Sequence, residues 1–284
     1  MTDDTLKLAG LIGDPVAHSR SPRLHNAAFA RLGLHAHYEL WPTAAAELPA
    51  RVAGLRAAHV LGANVTLPHK IAVIDLLDRL EPAAAAIGAV NTIVHAADGA
   101  LVGANTDAPA CLATLREDAG YDPAGGAALI LGASGAARAA AVALVGAGIR
   151  RLVVVNRTLE KAEQLLGDVL AAADADPLLF AMAPDDADLP AALAEAGLIV
   201  NATSLGWHDA ESPLAAELIP ATALVFDMVY RPTRLLRDAA ARGARTLDGA
   251  GMLVRQAALA FERWTGLPAP LDAMRAAMLA GEPV

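Results

Sequence analysis

Short polar side chains and isolated charges gather in four stretches of the first part of the chain. PVAHSRSPRLHNAAF (15–29) precedes an apolar helical pattern, NVTLPHK (64–70) follows a strand-like run, AVNT (89–92) precedes another such run, and NTD (105–107) ends it. The candidate binding residues in these stretches are Ser19, Ser21, Asn64, Thr66, Lys70, Asn91, Thr106 and Asp107. Hydroxyls, amides, one ammonium and one carboxylate favour a small ligand with several hydroxyl groups and one carboxylate.

Each of these residues also has an ordinary structural interpretation. Ser21 before Pro22 is typical of a helix N-cap, which leaves Ser19 unexplained. Lys70 fits a solvated position on a helix predicted near residues 69–80, and Asp107 fits a cap of a helix near 109. Because ligands of open α/β sheets bind outside the carboxyl ends of the strands, we expect the four stretches to meet at one sheet edge.

A second kind of site is predicted in the later part of the chain. Gly132, Ser134 and Gly135 stand between a buried strand, 127–131, and a helix that begins near Ala136. A tight turn of this kind presents backbone N–H groups to a pyrophosphate at a helix N-terminus. Glycine in such a turn can also serve geometry alone.

The end of the next strand indicates which dinucleotide fits. An NAD site would place an acid there to hold the ribose hydroxyls, and this chain has Asn156, Arg157 and Thr158 instead. A guanidinium and a hydroxyl suit a 2′-phosphate, which predicts NADP. The alternative is Thr158 as the N-cap of the next helix with Arg157 in solvent, and Thr158 could serve both purposes.

The elements that position these residues alternate along the chain as in parallel α/β proteins. Two strand-like runs around Asp98-Gly99 predict a hairpin, and therefore an antiparallel strand in the first sheet. The breakers of AGYDPAGG (119–126) precede a β-turn-α-β unit, and the tail 251–279 has only helical periodicity. The fold class is therefore α/β with two domains: a mostly parallel sheet with one antiparallel strand, and a Rossmann-type NADP-binding domain.

Composition excludes several classes of protein. Hydrophobic residues make up 55% of the chain and aromatics 4%, which excludes a disordered chain and predicts an aliphatic core. The net charge of −9 argues against nucleic-acid binding. No apolar run reaches the length of about 18 residues that a membrane helix needs. The single Cys111 cannot form an internal disulfide, which fits a reducing cytoplasm.

No metal site is expected. His18, His25, His69 and His95 show no metal-ligand spacing, and no carboxylate cluster accompanies them. We expect His18 near the turn that carries Ser19, and His25 and His69 in structural or solvated positions.

The order of the short motifs resembles that of the shikimate dehydrogenase family. GDPVAHSRSPRLHN, NVTLPHK, GAVNT, GANTD, GASGAAR, NRT, NATSLG, DMVY and GAGMLVRQ follow one another between about residues 10 and 266. The resemblance implies a cytoplasmic, two-domain oxidoreductase that reversibly reduces 3-dehydroshikimate to shikimate with NADPH in aromatic amino-acid biosynthesis. It also implies a discontinuous substrate-binding and catalytic domain, 1–107 with 250–284, around an NADP domain, 108–249, in a monomer or a homodimer.

The resemblance also implies roles for individual residues. Lys70 and Asp107 resemble the catalytic pair. The implied substrate contacts are Ser19, Ser21, Asn64, Thr66, Lys70, Asn91, Asp107, Tyr230 and Gln256. The implied cofactor contacts are Gly132, Ala133, Ser134, Gly135, Ala136, Asn156, Arg157, Thr158, Thr203, Met228 and Gly249. Without the family, Gln256 could equally be an exposed residue of an amphipathic helix.

The chain departs from the family pattern at four places. Ser134 and Ala110 stand where glycine is usual, Trp207 replaces a usual methionine, and the loop after Tyr230 is about two residues short. The shortened loop leaves open a related enzyme that prefers quinate or another cyclic hydroxy acid, perhaps with NAD. A catalytically silent sensor is disfavoured because Lys70 and Asp107 are both present.

Overall fold

The computed structural model describes residues 5–173, 176–207 and 211–280. The chain forms two compact units, the first from the described residues of Met1–Thr106 and Leu253–Val284 and the second from those of Asp107–Met252. The ends of the predicted first domain, 1–4 and 281–284, lie outside the described residues.

The strands are β1 Lys7–Gly13, β2 Ala36–Pro42, β3 Val60–Val65, β4 Arg79–Leu80, β5 Thr92–His95, β6 Leu101–Ala104, β7 Ala127–Leu131, β8 Arg151–Val155, β9 Leu178–Met182, β10 Leu198–Asn201, β11 Leu224–Asp227 and β12 Arg245–Leu247. The helices are α1 Ser21–Arg31, α2 Leu48–Gly54, α3 Pro82–Ile87, α4 Asp107–Ala113, α5 Gly135–Gly146, α6 Leu159–Ala171, α7 Leu189–Glu195, α8 Arg234–Ala241, α9 Ala250–Thr265 and α10 Leu271–Leu279. A π-helical turn, Thr114–Asp118, continues α4. Helix α9 begins in the second unit and continues into the first.

The first unit contains a mixed sheet in the order β2-β1-β3-β5-β6-β4. The pairs β2-β1 and β1-β3 are parallel, and β5 is antiparallel to both β3 and β6. The predicted hairpin is present between β5 and β6, and Gly99 in its turn has φ +83°, a value that glycine adopts without strain.

The helix predicted near residues 69–80 is wrong. That segment contains turns, a 3₁₀ turn at Ile74–Leu76 and strand β4, which pairs with β6. The backbone N–H of Asp78 donates to Leu101 O at 3.0 Å, and the N–H of Val90 donates to Lys70 O at 2.8 Å. These bonds to distant segments satisfy the backbone and outweigh the local helical preference.

The core of the first unit is only partly aliphatic, because it also contains aromatic side chains. One face of its sheet packs on aliphatic residues of α2 and α3, but the other carries an aromatic cluster. The ring of His25 is stacked on Tyr38 with centroids 4.3 Å apart, and Phe29 meets Phe261 at 5.4 Å. The Trp264 indole donates to Ile93 O at 3.0 Å. Phe29, Tyr38, Phe261 and Trp264 thus help to join α1 and α9 to this sheet.

The second unit contains a fully parallel sheet in the order β12-β11-β10-β7-β8-β9. This is the doubly wound dinucleotide-binding order, with two three-strand halves that meet between β7 and β10. Aliphatic clusters cover both faces, one including α5 and α6 and the other including α7 and α8. The predicted fold class is confirmed in both sheets.

Candidate active site and dinucleotide site

The four polar stretches of the first unit meet at one edge of its sheet. Strands β1 and β3 end there, and the antiparallel strand β5 begins there, since Asn64 near the end of β3 is opposite Thr92. Strand β6 ends at the same edge, with Ala104 opposite Thr92. The segments after β1, β3 and β6 and before β5 therefore lie together, as the parallel pattern led us to expect.

Asn64, Asn91 and Thr106 form a buried hydrogen-bonded network at this edge. Asn64 Nδ2 donates to Asn91 O and to Thr92 Oγ1, each at 3.2 Å. Asn91 Nδ2 donates to Thr106 Oγ1 at 2.9 Å, and Asn91 Oδ1 accepts from the Thr106 N–H at 2.8 Å. These amides are held in fixed orientations, which prepares the edge for a ligand with several hydroxyl groups.

The N-terminus of α1 differs from the sequence expectation. Ser21 is the first helical residue and does not cap the helix, because the N-cap position is held by Arg20 and no side chain caps it there. Ser19 Oγ instead accepts a hydrogen bond from the Ser21 N–H at 3.2 Å and donates to Ser21 Oγ at 3.1 Å. Two adjacent hydroxyls are thereby paired at a helix N-terminus, where an anion such as a carboxylate is favoured.

Lys70 lies in the turn that follows β3 rather than on a helix. The turn is fixed by the bond from His69 N to Thr66 O at 2.9 Å and by the contact of His69 Nε2 with Thr43 O at 2.7 Å. Lys70 is half-buried there. Asp107 directly follows Thr106 along the chain, is 5% exposed and is the first residue of α4.

The two remaining predicted substrate residues have partners inside their own units. Gln256 is nearly buried, and its Nε2 donates to Leu253 O at 2.8 Å on the same helix. The Tyr230 ring stands edge-on to Trp207 with centroids 5.1 Å apart, and Arg231 lies over the Trp207 ring at 5.2 Å. Trp207 thus supports Tyr230 in the second unit.

The glycine turn of the second unit lies where its sheet reverses strand order. Gly132 follows β7 with φ +101°, and a Cβ there would come within 2.9 Å of Thr203 Cγ2 in the loop after β10. Ser134 is the N-cap of α5, because its Oγ accepts from the Ala137 N–H at 3.3 Å. Gly135 and Ala136 open the helix, so this turn with Ala133 exposes backbone N–H groups at the N-terminus of α5.

The segment after β8 leaves its polar side chains toward solvent. Arg157 and Thr158 are exposed. Thr158 occupies the N-cap position of α6, as the structural alternative predicts, but its side chain makes no capping hydrogen bond. Asn156 Nδ2 donates to Thr158 O at 2.8 Å, which orders the turn.

Thr203, Met228 and Gly249 lie after β10, β11 and β12, in the other half of the sheet. Thr203 Oγ1 donates to Asn201 Oδ1 at 2.7 Å. A Cβ at Gly249 would overlap the backbone of Met228, and the Gly249 N–H donates to Val229 O at 3.2 Å. Only glycine permits this close approach of the two segments.

Two residues of the sites were missed by the sequence reasoning. The Tyr38 hydroxyl donates to Asn64 Oδ1 at 2.8 Å, and Asp227 is a fully buried carboxylate at the end of β11. Tyr38 lies on β2, and no sequence signal distinguishes it from an ordinary strand residue. Asp227 gave a signal that was not used, namely an acid in an otherwise apolar strand.

Two buried titratable groups are neutral at physiological pH. Burial lowers the pKa of His25 to about 3, and both of its ring nitrogens lack hydrogen-bond partners. Burial, with a smaller effect of Asp107, raises the pKa of Cys111 to about 12. Neither side chain therefore supplies a charge or a reactive thiolate.

Within the described ranges, no group of three or more His, Cys, Asp or Glu side chains could hold a metal ion. None of the helices in that part of the chain is long and apolar enough to cross a membrane.

Comparison with known proteins decides the family. Residues 11–93 match the shikimate dehydrogenase substrate binding domain, residues 116–207 match shikimate / quinate 5-dehydrogenase, and residues 249–279 match the shikimate 5′-dehydrogenase C-terminal domain. The chain is 48% identical to the NADP(+) shikimate dehydrogenase of Symbiobacterium thermophilum, over 96% of this chain and 94% of the relative. This chain belongs to the shikimate dehydrogenase family. The predicted resemblance is confirmed.

Solved structures of related dehydrogenases resemble nearly all of this chain. The shikimate 5-dehydrogenase of Thermus thermophilus, in complex with NADP(H) and shikimate, is 41% identical with a TM-score of 0.84, covering 96% of this chain and 98% of that one. A quinate dehydrogenase from Corynebacterium glutamicum, in complex with NAD, is 30% identical with a TM-score of 0.87, covering 98% and 100%.

Proposed function

We propose that this chain is an NADP-dependent shikimate dehydrogenase, which reversibly reduces 3-dehydroshikimate to shikimate in aromatic amino-acid biosynthesis. The observation that carries the proposal is its 48% identity, over 96% of its length, to a curated NADP(+) shikimate dehydrogenase. The network of Asn64, Asn91 and Thr106 supports it independently, since it suits a ring with several hydroxyl groups.

The first unit is proposed to bind the substrate and the second to bind the dinucleotide. Ser19 and Ser21 would hold the substrate carboxylate at the N-terminus of α1, where hydroxyls and backbone N–H groups are available. Asn64, Thr66 and Asn91 would contact the ring hydroxyls, and Tyr230 and Gln256 would complete the contacts.

The residues of the second unit fit NADP. The close approach of Gly132 to the loop after β10 leaves no room for a side chain at this position, which suits a tight turn around a pyrophosphate. The exposed guanidinium of Arg157 and the hydroxyl of Thr158 suit a 2′-phosphate. No acid stands at the end of β8 to accept hydrogen bonds from the ribose hydroxyls of NAD. Thr203, Met228 and Gly249 would lie at the nicotinamide end, with Ala133, Ser134, Gly135, Ala136 and Asn156 in the phosphate turns.

The chemistry needs one proton donor and one anchor from the protein. Bound NADPH would supply the hydride. Negative charge then develops on the carbonyl oxygen of the substrate, and the Lys70 ammonium would stabilise it and donate its proton there. Once this oxygen has become a hydroxyl group, the Asp107 carboxylate would accept a hydrogen bond from it and help to keep Lys70 in place. In the oxidative direction, neutral Lys70 would accept the proton.

The test is the absorbance of the reduced nicotinamide with shikimate or quinate, each with NADP or NAD. We expect the highest kcat/KM for shikimate with NADP; a preference for quinate or for NAD would favour the related activity of the family instead. Lys70→Ala should lower kcat by about 10²- to 10⁴-fold with little change in NADP affinity. Near-normal turnover of Lys70→Ala would remove this residue from the mechanism.

Three finer predictions remain. We expect no nucleic-acid partner because the net charge is −9. A monomer or a homodimer and a cytoplasmic location also stay predictions.

A further inference from the structure

Asp227 is a buried carboxylate whose hydrogen-bond donors are all neutral groups. It ends β11 and is 0% exposed. Its Oδ1 accepts from Asn201 Nδ2 at 2.9 Å and from the Val229 N–H at 3.0 Å, and its Oδ2 accepts from Thr233 Oγ1 at 2.7 Å. Burial raises the pKa of Asp227, and these three donors oppose that effect. A buried acid is costly, and an apolar residue would fill a strand position of this sheet without that cost.

The hydrogen bond that Asp227 accepts from Asn201 fixes the conformation of the loop after β10. Asn201, held by Asp227, accepts from the Thr203 N–H at 3.0 Å and from Thr203 Oγ1 at 2.7 Å through its Oδ1. The same Asn201 amide donates to Leu205 O at 3.1 Å. Thr203 Oγ1 in turn accepts from the Leu205 N–H at 3.1 Å. One carboxylate oxygen therefore fixes the amide around which residues 201–205 fold.

The second carboxylate oxygen secures the segment after β11. Thr233, which donates to it, also caps α8 by accepting from the Leu236 N–H at 3.3 Å. A Cβ at Gly206 would lie 2.9 Å from Thr233 Cγ2, so the loop after β10 closes against this threonine. The Met228 N–H donates to Asn201 O at 3.1 Å. The loops after β10 and β11 are thus joined through Asp227.

The strand order places these loops at one half of the dinucleotide. In a doubly wound sheet a dinucleotide crosses the point between β7 and β10, with one mononucleotide on each half. The glycine turn after β7 and Arg157 after β8 assign the 2′-phosphoadenosine to the β7-β8-β9 half. The ends of β10 and β11, with Thr203 and Met228, are then left for the nicotinamide.

We propose that Asp227 is a positioning residue that orders the nicotinamide end of the dinucleotide site by joining Asn201, and through it Thr203, to Thr233. This inference rests on the proposed function, because it assumes that the dinucleotide is the ligand. Asp227 acts through the loops it holds and is not itself assigned a contact with the substrate.

The binding of two ligands distinguishes a positioning role of Asp227 from a purely structural one, because only a positioning role changes the Kd of NADP without changing that of 2′-phospho-ADP-ribose. NADP and 2′-phospho-ADP-ribose share the adenosine, the 2′-phosphate and the pyrophosphate, but only NADP carries nicotinamide. Asp227→Ala and Thr233→Val should raise the Kd of NADP by about 3- to 10-fold, as expected for the loss of hydrogen bonds that hold a site. The Kd of 2′-phospho-ADP-ribose should stay unchanged, and kcat should fall about 10-fold or more because the reacting carbon is misplaced.

Conservative variants and a packing control complete the design. Asp227→Asn keeps an oxygen for Asn201 and Val229, and the Thr233 hydroxyl can accept from its amide, so both Kd values should stay within about twofold of wild type. Thr233→Ser keeps the hydroxyl and should behave similarly. Leu235→Ala, at a fully buried position of α8, should lower the unfolding midpoint without changing the ratio of the two Kd values.

The Kd values are measured by titration calorimetry on the full chain at a temperature where circular dichroism shows each variant folded. Thr233→Val carries the test if Asp227→Ala does not fold. Equal weakening of both ligands, or a change in the unfolding midpoint alone, would overturn the inference while leaving the proposed function standing. A wild-type protein that bound neither molecule would overturn both.

Discussion

The Ser134 hydroxyl donates a hydrogen bond to the backbone carbonyl of Ala202 at a distance of 2.9 Å. Ser134 is the N-cap of the helix after β7, and Ala202 follows β10, so one side chain joins the two loops at the point where the strand order reverses. Glycine, which the family resemblance leads one to expect at this position, cannot make this bond. At this position the chain therefore has a hydrogen bond to the opposite loop in place of the backbone freedom that glycine would give.

Ser134→Ala should lower the free energy of unfolding by about 1–2 kcal/mol, because both the cap of α5 and the bond to Ala202 are lost. Chemical denaturation measures this change. Ser204→Ala, in the exposed part of the loop after β10, removes a hydroxyl without either bond and serves as the control. Equal midpoints for the two variants would contradict the assignment.

Tyr38→Phe should raise the KM for shikimate severalfold while kcat changes little. The ring that stacks on His25 is kept, but Asn64 Oδ1 loses its donor at 2.8 Å and the amide is less firmly oriented. Steady-state kinetics with varied shikimate provide the measurement. Tyr121→Phe removes a hydroxyl from the second unit and should leave this KM unchanged; a similar rise there would mean that the effect is not specific to Asn64.

Arg157→Ala should weaken NADP by about 10- to 100-fold, as expected for the loss of a charge-assisted bond to phosphate, and should affect NAD far less. Arg150→Ala removes the same charge from an exposed position at the opposite end of β8. Dissociation constants of both dinucleotides for the three proteins give the comparison. If Arg157→Ala weakens NAD as much as NADP, the 2′-phosphate is not its target.

The Asp78 carboxylate should make the stability of the first unit depend on pH in the acid range. Its carboxylate accepts from both terminal nitrogens of Arg56, at 2.8 and 3.0 Å, and from the Leu101 N–H at 2.7 Å. Chiefly through the Arg56 bonds, its pKa falls from 3.8 to about 2. Since the folded pKa lies below the unfolded value, this stabilisation is present above about pH 4 and is lost as the pH falls toward 2.

Asp78→Asn should therefore be less stable than wild type at pH 6, and the difference should shrink as the pH is lowered from 4 to 3. Urea midpoints across this range check the expectation. Asp75→Asn, at an exposed position one turn earlier, is the control. A difference between wild type and Asp78→Asn that does not vary with pH would contradict the role of the carboxylate charge.

The features that the sequence predicts correctly are those determined by residues close together in the chain. Asp98-Gly99 marked the hairpin, and polar residues at strand ends marked the edge where Asn64, Asn91 and Thr106 meet. The N-cap role expected for Ser21 is wrong, because both serines of the stretch have capping chemistry and only the course of the backbone shows that Ser19 accepts from the Ser21 N–H.

Features that depend on distant segments could not be predicted. The helix predicted at 69–80 does not form, because this segment makes backbone hydrogen bonds with Leu101 of β6 and with Val90 in the segment before β5. Asp227 binds Asn201, 26 positions earlier, and no short motif contains both. Such pairs become visible only once the strand order brings them together.

The return of α9 to the first sheet affects how the protein folds while it is being synthesised. The indole of Trp264 fills the space left by Gly62, where any Cβ would meet that ring, and Arg263 pairs with Glu81 at 3.1 Å. During synthesis the second unit, Asp107–Met252, emerges in one uninterrupted piece, whereas the first unit lacks α10 and most of α9 until the residues after Met252 have been made. The first unit therefore cannot complete its packing until the whole of the second unit has been synthesised.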